Sequence, residues 1–189
     1  GLQVSGLTNA AVSLSNVDAT APTAGQGLHL DAITAGATSI SITGGTFKGV
    51  HRGILFAAIP AATTIAITGS VVEATGSVAP ALHLSSTVAG LVTIAGVTVK
   101  HGAAFAGIYF QGVVTAAVAI ADTAVDSGSS SVWFDDLRAP LTISNVVATA
   151  TTNQGLGLGS ITAATLISIT GGSFTGPNRG IYFTAVDAS

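Results

Sequence analysis

The feature that most restricts how this chain folds is a repeat. Residues 40–57 return without a gap as residues 167–184, and twelve of the eighteen aligned positions are identical. Each copy opens on two apolar residues separated by a polar one, Ile40 and Ile42 or Ile167 and Ile169, and then breaks at a glycine pair. A match of this density inside one chain points to stacked structural units before any single globular core. Relaxed to apolar alternation followed by a turn residue, the pattern gives seven copies, with first strands starting at Val12, Ile40, Ile65, Val92, Val118, Leu141 and Ile167. The spacings are 28, 25, 27, 26, 23 and 26 residues.

Each copy carries a second alternating segment, opening at Gly27, Gly53, Ala81, Gly107, Ser131, Gly155 and Gly180. A third short piece with one main apolar residue lies between copies, at Leu7, Ile33, Ile59, Val88, Val113, Leu137 and Ile161. Runs this short, alternating with period two and broken by Gly, Asn or Asp, are strands and not helices. Three short strands per turn of about 26 residues predict an all-β chain, a single-stranded parallel β-helix of about seven coils forming one domain over residues 1–189. One coil cannot bury its apolar face alone, whereas stacking places like residues over like and closes a continuous core.

The stacked columns are coherent. The first strand points Val12, Ile40, Ile65, Val92, Val118, Leu141 and Ile167 inward, and five places beyond its second inward residue come Ala19, Phe47, Val72, Val99, Val125, Ala148 and Phe174. The position after the strand reads Asn16, Gly44, Gly69, Gly96, Asp122, Asn145 and Gly171. These residue types tolerate positive φ, so a left-handed corner is expected there, with Asn16 and Asn145 amides placed to bond along the axis. A further column reads Thr20, Lys48, Glu73, Lys100, Asp126, Thr149 and Thr175. Charge alternates over four successive coils, as in a structural charge ladder whose neighbours each contribute about 0.2–1 kcal/mol. A longer period overlies the coils: residues 12–58 resemble residues 141–185, five coils on, which indicates an internal duplication.

Over the whole chain, this coil length and column pattern resemble the right-handed parallel β-helices of the pectate-lyase-like superfamily. The small Thr, Ser, Ala and Gly residues are most similar to those of secreted repetitive adhesins and surface fibres. The resemblance implies right-handed winding, export, an extracellular or cell-surface location and contact with polysaccharide; it is specific for fold and weak for function.

Charge excludes several classes. Only 7% of residues are charged, the net charge is -3, and no basic patch offers a footprint for nucleic acid. Mean hydropathy is +0.70, high for a chain that stays alone in water. There is no cysteine, hence no disulfide framework or thiolate metal site. Methionine is absent even at position 1, so Gly1 is expected to be a processed or truncated start. Residues 102–121 have the length of a membrane-spanning helix, but their glycines and their alternation of β-branched with small residues read as strands, and no membrane span is expected.

The lyases and glycosidases of the resembled superfamily use clustered carboxylates with Arg, Lys or His. Here only Asp135 and Asp136, with Arg138 nearby, cluster in sequence. Adjacent strand residues point to opposite faces, so the two acids do not serve one bond unless a bend intervenes, and no catalytic residue is assigned. No cofactor and no dedicated metal site is expected: His29 and His83 lie two coils apart with Leu55 between them, and His51 and His101 sit in loops beside Arg52 and Lys100. Calcium at Asp122 and Asp126 stays open. The second segment points His29, Leu55, His83, Tyr109, Trp133, Gly157 and Tyr182 outward. The rings of His29, His83, Tyr109, Trp133 and Tyr182 are the candidate binding residues, for a second protomer or for sugars. The first strand presents a flat, uncharged face of Ser, Thr and Ala; no coil has Thr at both outward positions, which weakens an ice-binding reading.

Both ends fall at nearly the same phase of the coil, without a charged cap. Either copies stack head to tail, or the chain is a segment of a longer array. The expected function is a non-catalytic structural protein of an extracellular fibre, sheath or adhesin, with copies of itself as partners, end to end and side by side. A polysaccharide-binding or polysaccharide-cleaving β-helix is the first alternative, and an ice-binding protein the second.

Overall fold

The computed structural model describes residues 1–6, 11–32, 39–57, 63–76, 78–162 and 165–187. Three parallel sheets run along one axis. The first stacks Val12–Ser15, Ser39–Thr43, Thr64–Thr68, Val92–Ala95, Val118–Ala121, Leu141–Ser144 and Ile167–Thr170. The second stacks Ala19–Ala21, Thr46–Gly49, Val71–Ala74, Thr98–His101, Ala124–Ser127, Val147–Ala150 and Ser173–Thr175. The third adds an eighth strand: Leu2–Ser5, Gln26–Asp31, Arg52–Phe56, Leu82–Leu84, Ile108–Val114, Val132–Leu137, Gln154–Thr162 and Arg179–Asp187. Each strand pairs with its equivalent one coil away, so the chain is an all-β parallel solenoid of about six complete turns. Residues 102–121 hold two whole strands, Ile108–Val114 and Val118–Ala121, and no helix among the described residues is long and apolar enough to cross a membrane.

The core follows from the alternation. In the second repeat Ile40, Ile42, Phe47, Ile54 and Phe56 all point inward and are at most 1% exposed. Burial of each such side chain contributes roughly 1.5–3 kcal/mol, and the next coil supplies matching side chains above and below. Phe110 lies over Phe134 with ring centroids 4.3 Å apart and planes at 6°. Seven corner residues, Asn16, Gly44, Gly69, Gly96, Asp122, Asn145 and Gly171, have φ between 48° and 67°. The turn demands the left-handed region, and the side chains there are absent or short and polar. Corner N–H groups also serve the stack: Asn16 donates to the carbonyl of Thr43, and Gly44 to that of Thr68, both at 2.8 Å.

Two expectations need correction. The third strand of each coil is the one carrying the Phe47 column, not the short piece between copies. Leu137 and Ile161 extend strands of the third sheet, and Val88 makes an isolated bridge to Val114. Leu7, Ile33 and Ile59 lie outside the described residues. In addition, Val113 is not the inward residue of its coil; Val114 is, at 1% exposure and in register with Leu137. A bulge between Phe110 and Val113 adds one residue, with Gly112 at φ 92°, and one extra residue exchanges the faces of everything after it.

Candidate functional site

The outer face of the third sheet carries one unbroken column: Gln3, His29, Leu55, His83, Tyr109, Trp133, Gly157 and Tyr182 are register partners in turn. It is not an open stripe of rings. Leu55 and His83 are buried, at 7% and 5% exposure, while His29, Tyr109, Trp133 and Tyr182 are half-buried.

Three of the five candidate residues form one network. Arg52 Nε–H donates to His83 Nδ1 at 3.0 Å, which leaves the ring proton on Nε2, where it is donated to Gln111 Oε1 at 2.9 Å. His83 stacks on Tyr109, 5.2 Å between centroids and 4° between planes. Tyr109 Oη–H donates to Asp135 Oδ2 at 2.8 Å, and Trp133 Nε1–H donates to Asp135 Oδ1 at 2.9 Å. Burial, then the carboxylate of Asp135, pushes the Tyr109 hydroxyl up to about 12, so it remains a donor. Gly157 is required beside this network, because a Cβ there would run into Cε3 and Cζ3 of Trp133. His29 stands apart beyond Leu55, and Tyr182 beyond Gly157, where the Arg179 guanidinium lies 4.1 Å from its ring centroid.

A cleft of about 350 Å³ opens beside the network, lined by Phe105, Tyr109, Trp133, Ser129, Ser130, Asn153 and Gln154, with Ala104 and Ala106. Its polar wall is also built in register. Positions two before each third-sheet segment read Phe105, Ser129, Asn153 and Asn178. Asn178 Nδ2 donates to Asn153 Oδ1 at 3.1 Å, and Asn153 Nδ2 donates to Ser129 Oγ at 2.8 Å. Ser130 Oγ–H donates to Gln154 Oε1 at 2.8 Å. The stripe reading missed this wall, although the same repeat alignment that found the columns contains it.

Asp135 and Asp136 do not alternate as expected. Phe134 and Leu137, three apart, are the inward residues, and both acids between them are half-buried. The strand runs on through both acids and only its alternation slips there, and each carboxylate is already held: Asp136 takes Arg138 Nε at 3.0 Å and a close bond from Nη2, and Asp135 takes the two ring donors. His101 is not in a loop. It ends a second-sheet strand, is 3% exposed, and its Nε2 donates to the Ala79 carbonyl at 2.7 Å while Nδ1 accepts from the Ala103 N–H at 3.2 Å. It ties two loops together.

Lys48, Glu73, Lys100 and Asp126 occupy directly paired positions on the second sheet. Lys48 Nζ reaches Glu73 Oε1 at 2.8 Å; among the described residues Lys100 makes no ion pair within 4 Å with either acidic neighbour. Asp122 accepts from Asn145 Nδ2 at 3.1 Å. Among the described residues no three His, Cys, Asp or Glu side chains gather as a metal site would. The chain matches no protein-family model, no curated protein and no solved structure.

Proposed function

We propose that this chain is a non-catalytic structural solenoid of an extracellular fibre, sheath or adhesin, wound right-handedly as in the pectate-lyase-like superfamily. The observation that supports this reading is the outer face of the first sheet. Seven register-matched strands present Ser13, Ser41, Ala66, Thr93, Ala119, Thr142 and Ser168, and no side chain in that row is larger than threonine. Two such faces pack closely without desolvating a charge. Along the axis, Ile181 and Phe183 are 38% and 46% exposed, whereas their register partners Leu156 and Leu158 are 0% exposed. A second copy stacked end to end would cover them by the same column packing. The engaged carboxylates at Asp135 and Asp136 favour a structural role over glycoside cleavage.

Sedimentation velocity across a concentration series, with electron microscopy of the same samples, tests the proposal. Concentration-dependent rods or laterally paired rods are expected, and replacing Thr93 and Ala119 by Glu disperses the lateral contact. A particle that stays monomeric at the highest soluble concentration refutes self-assembly of this segment.

A further inference from the structure

We propose that the cleft beside Tyr109 and Trp133 binds a neutral glycan through one uncharged pyranose unit. The site stands independently of the assembly reading. Its volume of about 350 Å³ falls at the lower end of small-ligand sites, which span roughly 300–1,000 Å³. The lining combines three aromatic side chains with hydroxyl and amide groups. Aromatic rings fit the C–H face of a pyranose, and side-chain amides and hydroxyls fit its hydroxyl edge, since both offer donors and acceptors.

Charge selects the class of sugar. No side chain in the lining carries a charge. An acidic sugar finds no cation there, and a cationic ligand no carboxylate. The nearby Asp135 is occupied by the donors of Tyr109 and Trp133. Gln154 provides a specific handle: its Oε1 is taken by Ser130, whereas its Nε2 has no partner among the described residues. Phe105, 39% exposed, offers an accessible ring on the loop wall. The two sheet aromatics are locked before any ligand arrives, by the two bonds to Asp135 and by the stack of Tyr109 on His83, so little ordering cost remains at binding.

Titration calorimetry with cellohexaose, mannohexaose and xylohexaose, and with oligogalacturonate as the acidic counterpart, tests the proposal, with Trp133 fluorescence as a second readout. Saturable binding of at least one neutral hexasaccharide is expected, with oligogalacturonate at least about tenfold weaker. Phe105→Ala and Gln154→Ala each weaken that binding by about tenfold or more while leaving the far-ultraviolet circular dichroism spectrum unchanged. Phe105 on the loop wall and Gln154 at the start of its strand both lie outside the Tyr109–Asp135–Trp133 network, so the test does not depend on variants of that network. Failure of all three neutral probes at about 10 mM overturns the proposal. Preference for oligogalacturonate overturns it as well, and so does binding that neither variant changes.

Discussion

Protonation of His83 is the perturbation with the most to say about the third-sheet network. The ring is 5% exposed and meets charged or titratable groups from three strands: Arg52 on one, Tyr109 on the next and Asp135 on the third. A proton on Nδ1 would oppose the Arg52 Nε–H that now donates to it at 3.0 Å. Burial first, and the Arg52 charge second, lower the His83 pKa from 6.5 to about 4, against smaller opposing effects of Gln111 and Asp135. Between those values the unfolded chain binds a proton that the folded chain excludes. Stability therefore falls as the pH falls from 6.5 to about 4, with no effect above that window and the full effect below it. The full shift corresponds to ~3 kcal/mol; the cluster sits at the sheet surface, and water screening reduces the expected loss to about 2 kcal/mol. Urea denaturation followed by Trp133 fluorescence, for the parent chain and His83→Gln at about pH 7.5 and 4.5, isolates the term. The parent is expected to lose about 2 kcal/mol more than the variant between the two conditions. A His83 Cε1 proton resonance that titrates at or above about 6.5 refutes the reasoning, because the ring would then lack the burial and the Arg52 bond that define the network.

Other perturbations follow from single contacts. Gly157→Ala forces the Trp133 indole off its seat, and a red-shifted emission with a loss of about 1–3 kcal/mol in urea denaturation is expected. Glu73→Lys removes the 2.8 Å pair with Lys48 and sets three cations in adjacent register positions. With the two side chains 43% and 28% exposed, the loss is about 1 kcal/mol at low salt, and it shrinks by at least about half at 0.5 M salt. Asn145→Ala places a Cβ-bearing residue without a polar side chain at φ 52° and loses the bond to Asp122, lowering stability by about 1–2 kcal/mol. Asn145→Gly, which removes only the bond, is expected to cost under about 1 kcal/mol in the same urea series.

The sequence by itself determined what repeats along the axis. Coil length, the inward columns, the left-handed corner at Asn16 through Gly171 and the stacking of Lys48, Glu73, Lys100 and Asp126 all depend on residues at one phase of successive turns. In a solenoid such residues are register neighbours, so periodicity alone locates them. Tertiary structure decided what happens between phases. Arg52 meets His83 across 31 residues, His83 meets Gln111 across 28, and Asp135 receives two rings from different coils. Those contacts depend on side-chain reach and on where the alternation slips, as at the bulge around Gly112 and between Phe134 and Leu137. A one-residue slip in the alternation leaves the average period almost unchanged yet exchanges inside for outside, which is why Val113 and the two acids were misplaced while the columns around them were not.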